Sequence, residues 1–308
     1  MLKRMLALAA ALCLMVSLAR AAEPVAMESA EAIELLSGGT FLTEGTAPMY
    51  FKDHTAGHWL YVSDTVRIEI TRYRSTSPLM TWYIADLQCA EGSTMYTLSS
   101  NDMTGKTNNY PQRIAQAGRA VYAQSSDFYT YRVANDRYPG IIIRNGKILY
   151  KKSYSKLVNA LPNLATMAFY SSGKAEVNEA WEVTAQEYID KGAETVVAFG
   201  PLLIRDGEIQ DVTDDAYQHK EPRCCFGVIG RRHFVGLLVE GRKSHSDGAT
   251  LAQCAELLAD YGCWDAINLD GGNTSAMLFM GESVMLNEMG GVDENDRSIP
   301  DVLCLGTY

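Results

Sequence analysis

The order strand, helix, strand near the carboxyl end of the chain constrains its fold most strongly. The stretch "RHFVGLLVEG" (232–241) is almost continuously apolar, which is typical of a strand buried on both faces. "TLAQCAELLADYG" (250–262) places apolar residues on one helical face and ends in a glycine, as an amphipathic helix does. "WDAINLD" (264–270) is a second apolar strand. Such a unit leaves its loops at the carboxyl ends of the strands, so we expect the polar segments 242–249 and 270–275 to share one sheet edge. The expected helical face consists of Leu251, Cys254, Ala255, Leu258 and Tyr261.

The middle of the chain predicts further strands. "TVRIEITRY" alternates apolar and polar residues, and "PLMTWYIADLQ" is rich in residues that favour strands. Asn145-Gly146 and Asp206-Gly207 each separate two apolar runs and predict tight turns. We therefore expect an α/β (α+β) fold, with a mixed β-sheet core, helices packed on it, and a single large catalytic domain over 61–308.

The amino-terminal residues predict export. Lys3 and Arg4 precede an apolar run that ends in Ala19-Arg20-Ala21, so residues 1–21 are interpreted as a signal peptide cut after Ala21. An uncleaved membrane anchor is the alternative. In either case the remainder is expected to be secreted or at the cell surface. Residues 22–60 are weakly patterned and are interpreted as an N-terminal extension packed on the domain.

Charge limits the partners. The chain carries a formal net charge of −10, which becomes −13 without residues 1–21, because that segment contains three basic residues and no acid. So acidic a protein is not expected to bind nucleic acid or anionic lipid. Beyond a possible uncleaved anchor, no stable membrane partner is expected.

Six cysteines remain after residue 21, and their state is left open by the sequence. An even number in an exported protein is compatible with disulfides, whereas buried thiols are the alternative. No C-x-x-C pair indicates a zinc site. The six are Cys89, Cys224, Cys225, Cys254, Cys263 and Cys304.

Two carboxylates and three arginines are candidates for a site. Asp127 and Asp270 each follow an apolar strand, although an acid there can simply cap a turn. Glycines after Asp270 permit close approach of a ligand and leave amide groups to donate hydrogen bonds. A guanidinium group binds phosphate through two parallel hydrogen bonds, although a single arginine is more often part of a structural ion pair. The arginines are Arg223, Arg242 and Arg297, and the glycines are Gly271 and Gly272.

The segment "VEGRKSHSDGATLAQCAELLADYGCWDAINLDGGNTSAMLF" resembles the signature region of the phosphodiester glycosidase family, whose pattern is close to D-G-R, S-x-G, a helix, then N-L-D-G-G-G-S-S. "AQSSDFY", "EPRCCFGVIG" and "FGPLLIRDGEI" resemble other segments of the family, and the similarity covers roughly 66–306. The departures from the family pattern are Glu240 for Asp, Asn273-Thr274 for Gly-Ser, Ser125-Ser126 for Asn-Gly and Cys224 for Thr.

The resemblance implies cleavage between a sugar's anomeric carbon and a phosphodiester, in a phosphorylated glycan or another sugar-1-phosphodiester. It places Arg223 and Arg242 on the phosphate, Asp270 as nucleophile or general base, and Asp127 as the second carboxylate. The groups expected to bind sugar hydroxyls or orient the carboxylates are Ser246, Asn268, Asn273 and Thr274.

No cofactor is expected, and a divalent metal on Asp127, Asp270 and Asn268 is a less favoured variant. Two other functions stay open at this point: a non-catalytic protein that binds phosphorylated glycans, and a structural domain whose polar loops are ordinary turns.

Overall fold

The computed structural model describes residues 22–100, 107–152, 162–286 and 297–308. The predicted signal peptide, residues 1–21, lies outside them. The described part is one domain dominated by β-structure, with helices packed on the sheets. The predicted α+β class with a mixed sheet core is therefore confirmed.

The described residues form twenty strands and five α-helices, which take their numbers from chain order. The strands are β1 (Val25–Ala26), β2 (Met49–Asp53), β3 (His58–Val62), β4 (Val66–Thr76), β5 (Leu79–Cys89), β6 (Tyr96–Ser99), β7 (Ala120–Ser125), β8 (Gly140–Arg144), β9 (Lys147–Lys152), β10 (Ala165–Tyr170), β11 (Ala175–Asn178), β12 (Ala193–Phe199), β13 (Leu202–Arg205), β14 (Glu208–Ile209), β15 (Arg223–Gly230), β16 (His233–Val239), β17 (Asp265–Leu269), β18 (Met277–Phe279), β19 (Glu282–Ser283) and β20 (Asp301–Thr307). The helices are α1 (Ala30–Ser37), α2 (Pro111–Ala117), α3 (Tyr129–Ala134), α4 (Ala185–Asp190) and α5 (Leu251–Asp260). Short 3₁₀ turns cover Asp215–Tyr217 and Gly272–Thr274.

The strands form three sheets. The largest has the order β1-β2-β3-β4-β5-β16-β15-β17-β13-β14, and the two five-stranded sheets have the orders β11-β10-β12-β8-β9 and β19-β18-β7-β20-β6. One hydrophobic cluster contains residues from all three sheets. At its centre Phe169 of β10 meets Phe226 of β15 and Phe234 of β16 edge-on, with ring centroids 5.6 and 5.8 Å apart. The sheets therefore share one core rather than forming separate units.

The predicted strand–helix–strand unit is β16–α5–β17. Both strands pair antiparallel with β15, which lies between them, so they run in the same direction. Cys224 at the start of β15 pairs with Leu238 on one side and Leu269 on the other. The carboxyl ends of β16 and β17 therefore meet at one edge of the sheet, as expected, together with the first residue of β15.

Helix α5 begins and packs as its sequence indicates. The Thr250 hydroxyl accepts a hydrogen bond from the Gln253 amide at 3.2 Å, and the Gln253 side chain accepts one from the Thr250 amide at 3.0 Å. This reciprocal cap satisfies two of the free amides at the helix start. Four of the five residues expected on the apolar face are buried. The fifth, Tyr261, is 36% exposed, and its hydroxyl donates to Asp86 Oδ2 at 3.2 Å.

Residues 22–60 contribute three strands to the edge of the largest sheet. Trp59 and Leu60 of β3 are buried, and β3 pairs along its length with β4. Ile33 of α1 packs in the same cluster as Leu60. The alternation in this stretch is short, which explains why the sequence pattern shows these strands only weakly.

All six cysteines after residue 21 are buried free thiols in the structure. This corresponds to the second of the two alternatives left open above. Within the described ranges, no helix combines the length and the apolar character needed to cross a membrane.

Candidate active site

A pocket of about 260 Å³ opens at the edge where β16 and β17 end and β15 begins. Its walls come from segments far apart in the chain. The lining residues are Phe128, Tyr131, Arg132, Pro162, Phe199, Gly200, Tyr217, Arg223, Leu251, Asn268 and Asp270. Three predicted site residues, Arg223, Asn268 and Asp270, therefore meet in one cavity. Asp270 is the only carboxylate among these lining residues.

Asp270 directly follows β17, and its amide donates to the Ser126 carbonyl at 3.1 Å. Its Oδ2 lies 2.6 Å from the Thr274 hydroxyl, which donates to it. Burial raises the pKa of Asp270 to about 6, against the hydrogen bond from Thr274 and the positive charges of Arg132 and Arg297. Near neutral pH this carboxyl group therefore changes readily between its protonated and ionised forms.

The two glycines after Asp270 pack closely against the backbone of Pro222. A Cβ on Gly271 would lie 2.6 Å from the Pro222 carbonyl oxygen. Gly272 has φ +64°, and its amide donates to the same carbonyl at 2.8 Å. The expectation that these glycines leave amide groups free to donate hydrogen bonds is therefore corrected for Gly272, whose amide is already bonded. Both glycines thus allow the loop to pack closely against the start of β15.

Asn268, in β17, holds the Gly200-Pro201 turn through its side chain and its backbone. Its side-chain amide donates to the Gly200 carbonyl at 2.9 Å, and its backbone joins the same turn through bonds with Gly200 and Pro201. Its Oδ1 lies 3.6 Å from the Cys225 thiol. Asn268 is buried, and these contacts fix the 200–201 turn beside Asp270.

Arg223 presents unused donors to the pocket. Its Nε donates to the Ala249 carbonyl at 3.0 Å and its Nη2 to the His219 carbonyl at 2.7 Å. Among the described residues, the side-chain partners of Arg223 are these two backbone carbonyls, and no carboxylate forms an ion pair with it. Because a guanidinium group has five N–H donors, Arg223 retains donors for an anion while two backbone carbonyls hold it in place.

Arg132 is a site residue that sequence reasoning missed. It is 3% exposed, and it donates to the backbone carbonyls of Asp127, Pro139 and Ala198 at 2.7 to 3.2 Å. Its guanidinium lies 5.7 Å from the centre of the Phe199 ring. In "FYTYRVAN" it follows no strand and belongs to no recognisable motif. Its positive charge nevertheless acts on Asp270, since carbonyl oxygens hold it without neutralising it.

Asp127 does not line the pocket. It is fully buried, with Oδ1 2.9 Å from Arg144 Nη2 and Oδ2 3.0 Å from the Ala198 amide. Arg144 also binds Asp301 Oδ2 at 2.7 Å. The prediction of a second substrate-facing carboxylate therefore needs correction: both oxygens of Asp127 are already bonded, and the contacts give it a structural role. The same bonds remove it from the metal set considered above, and no cluster of three or more His, Cys, Asp or Glu side chains suited to a metal occurs in the described ranges.

Three other predicted residues surround the Asp270 loop without lining the pocket. Arg242 forms an ion pair with Glu221 at 2.6 Å and donates to Asn273 Oδ1 at 2.9 Å. The amide of Arg297 donates to the Asn273 carbonyl at 3.2 Å. Arg242 therefore braces the loop, and its charge is largely balanced by Glu221 rather than offered to a phosphate.

Ser246 and Glu240 belong to a separate buried cluster. Ser246 is 0% exposed; its hydroxyl donates to the Glu240 carbonyl at 2.5 Å and accepts from the Thr81 amide at 3.0 Å. The Glu240 carboxylate receives the Tyr83 hydroxyl at 2.6 Å and lies 2.7 Å from His245 Nε2. The Ser246 hydroxyl thus donates and accepts within this cluster, which corrects its predicted role as a group that binds a sugar hydroxyl or orients Asp127 or Asp270. Glu240, which replaces the Asp of the family pattern, is thus bonded to Tyr83 and His245.

Among the described residues, the pocket thus combines a titratable carboxylate, two guanidinium groups without carboxylate partners, and aromatic walls. The family model described as phosphodiester glycosidase matches residues 93–306, well over half of the chain. The chain therefore belongs to the phosphodiester glycosidase family, as its motifs indicate.

Three known proteins are similar to the chain. The SPbeta prophage-derived uncharacterized protein YomE of Bacillus subtilis (strain 168) is 29% identical over 175 residues, which is 56% of this chain and 26% of that protein. The chain thus spans about a quarter of that relative's length. The catalytic domain of zebrafish N-acetylglucosamine-1-phosphodiester alpha-N-acetylglucosaminidase, auto-inhibited by its pro-peptide, has a TM-score of 0.59 at 17% identity, covering 79% of this chain and 83% of that one. A hypothetical protein from Synechocystis has a TM-score of 0.60 at 11% identity, covering 86% and 64%. At these identities the two structures show a shared fold.

Asp127 and Asp270 are expected to differ in their effect on stability. Asp127→Asn turns an amide N–H toward either Arg144 or the Ala198 amide, and we expect a loss of about 3 kcal/mol, as for a broken buried ion pair. Asp270→Asn should leave stability unchanged or raise it at pH 7. The native state holds the Asp270 proton more tightly than the unfolded chain, so the contribution of this group to stability falls as pH rises from about 4 to 6.

Urea unfolding of both variants at pH 7, followed by circular dichroism, measures the two effects. Equal losses of stability would contradict the distinction between Asp127, which is bonded on both oxygens, and Asp270, which lines the pocket.

Proposed function

We propose that this phosphodiester glycosidase is an exported hydrolase that cleaves the C1–O bond of a sugar-1-phosphodiester, such as an N-acetylglucosamine-1-phosphodiester in a glycan or wall polymer. The observation that carries the proposal is that the side chains of Asp270, Arg223 and Arg132 line one pocket. Each guanidinium is held by backbone carbonyls and, within the described residues, has no carboxylate partner. A pocket with this charge attracts an anion and holds one carboxylate beside it.

The leaving group determines how much acid catalysis the reaction needs. A departing phosphate is weakly basic, so stabilising its negative charge matters more than protonating it. The free N–H groups of Arg223 are suited to donate to its non-bridging oxygens. Arg132 adds positive charge in a site of low dielectric, where a charge acts more strongly than in water.

Asp270 then acts as the general base. Inverting glycosidases use one acid and one base, and a phosphate that leaves without a proton makes the acid unnecessary. Water attacks C1, the C1–O bond breaks with its electron pair on the phosphate, and Asp270 takes the proton from the water. The products are a free sugar and a phosphomonoester. The single carboxylate in the described pocket wall matches this requirement.

The aromatic residues complete the substrate pocket. Phe128, Tyr131, Phe199 and Tyr217 line it and offer ring faces and edges to the apolar side of a sugar. Phe128 has φ +39°, a conformation that is strained for a bulky residue and is often found at functional sites. This strain is consistent with a side chain held in place for binding.

The reaction is tested with p-nitrophenyl diesters of sugar-1-phosphates. Cleavage at C1–O releases p-nitrophenyl phosphate, so colour should appear only after a phosphatase is added. Asp270→Asn should lower kcat by about 10²- to 10⁴-fold, because it removes the base. Asp260→Asn, an exposed acid at the end of α5, is the matched control and should keep the activity of the wild type.

Each alternative outcome has a separate meaning in this assay. Colour without phosphatase would indicate attack at phosphorus and contradict the proposal. Saturable binding of the same diesters without any product would instead support a non-catalytic glycan-binding protein.

The pH dependence of kcat/KM tests the role of Asp270 as a base. Only the ionised carboxylate can accept a proton, so activity should rise with pH through an apparent pKa of about 6. Thr274→Val removes the hydrogen bond that lowers this pKa and should move the acidic limb to higher pH. Ser275→Ala is the control, because its hydroxyl has no partner among the described residues. An unchanged limb in Thr274→Val would argue that another group titrates.

Export is supported by the basic and apolar amino-terminal sequence and by the Ala19-Arg20-Ala21 cleavage pattern. When the full-length gene product is expressed in a bacterial host that secretes proteins, the chain should appear in the medium with Ala22 as its first residue. Mass spectrometry of the secreted and cell-bound chains measures this. A chain that keeps residues 1–21 in the membrane fraction would indicate an uncleaved anchor instead.

A further inference from the structure

A second cavity lies at the opposite end of the strands that carry the active site. Asp270 follows the last residue of β17, whereas Trp264 precedes its first residue. Strands rise about 3.3 Å per residue, so the two positions are about 20 Å apart. The cavity has a volume of about 710 Å³, within the range of about 300–1,000 Å³ that is usual for small-molecule sites. It is therefore distinct from the pocket described above.

Trp264 forms an exposed aromatic wall of this cavity. The residue is 56% exposed, although tryptophan is highly buried in most proteins. The indole lies against the Asp206-Gly207 turn, since a Cβ on Gly207 would come within 3.1 Å of Trp264 Cζ3. The Trp264 amide donates to the Val228 carbonyl at 2.7 Å, and its carbonyl accepts from the Gly207 amide at 2.8 Å. Backbone hydrogen bonds thus fix the position of Trp264, and the Asp206-Gly207 turn covers one side of its ring.

Balanced charges surround the indole. The lining has three basic and three acidic side chains, namely Lys174, Arg205, Arg231, Glu176, Asp206 and Asp265. Two of the cations are already paired: Lys174 with Glu176 and Arg205 with Glu182, each at 2.9 Å. A phosphate or another strongly charged ligand would have to compete with these ion pairs. A neutral ligand with many hydroxyl groups has no such cost and finds donors and acceptors on every side.

We propose that this cavity, here called the tryptophan groove, is a second carbohydrate site that binds neutral pyranose residues of a glycan. The face of an indole ring carries partial negative charge and attracts the polarised C–H bonds on the flat side of a sugar ring. The hydroxyls at the edge of the sugar then reach the carboxylates and guanidinium groups around the ring. The groove binds sugar whether or not the chain is catalytic, so the proposal does not depend on the function proposed above.

Calorimetric titration of the whole protein tests the proposal with three neutral tetrasaccharides, made of β-1,4-linked N-acetylglucosamine, α-1,4-linked glucose and α-1,6-linked mannose. We expect saturable binding of at least one. Trp264→Ala should weaken it at least tenfold, whereas Trp264→Tyr, which keeps a flat ring, should stay within a few-fold of the wild type. Trp181→Ala is the matched control, because Trp181 is 43% exposed but does not line the groove.

Asp270→Asn separates the groove from the active site, and it should bind the same sugar as the wild type. Binding that is lost in Asp270→Asn but kept in Trp264→Ala would overturn the proposal. So would dissociation constants above about 10 mM for all three sugars, which correspond to negligible affinity. Self-association of the protein that disappears in Trp264→Ala would assign the surface to a second copy of the chain and would equally overturn it.

Discussion

The buried ion network of Asp127, Arg144 and Asp301 is the interaction on which the site depends. Arg144 ends β8 of one five-stranded sheet, while Asp127 follows β7 and Asp301 begins β20 of the other. All three side chains are nearly fully buried, and Arg144 binds both carboxylates at 2.7 and 2.9 Å. Such a network adds little net stability over a well-packed apolar core, but loss of one member leaves buried charge unpaired. It therefore fixes how the two sheets meet.

The ion network also holds the connection from β7 to α3 in place. Asp127 bonds the Ala198 amide of β12, and the carbonyl of the same residue accepts a hydrogen bond from Arg132. These contacts place Phe128 and Tyr131 on the wall of the pocket. Asp127 thus helps to position two residues of the pocket wall, whereas among the described lining residues the carboxylate that faces the cavity is Asp270.

The pKa of Asp270 results from influences of the pocket that act in opposite directions. Burial favours its neutral form, whereas Thr274, Arg132 and Arg297 favour the ionised form. The opposing influences leave its pKa at about 6, so this carboxyl group can exchange a proton near neutral pH.

The sequence by itself determined the local elements of this protein: strands from alternation, turns from Asn145-Gly146 and Asp206-Gly207, and a capped helix after Thr250. It also placed the polar segments after β16 and β17 at one edge, because the direction of strands in a strand–helix–strand unit is restricted. Only the tertiary structure decided which acid faces the pocket. Asp127 and Asp270 look alike in sequence, since each follows an apolar strand. Their different positions depend on partners such as Arg144. This arginine binds Asp127 and also Asp301, which lies 157 residues further along the chain. Local patterns carry no record of such contacts, because they form only when separate sheets pack together.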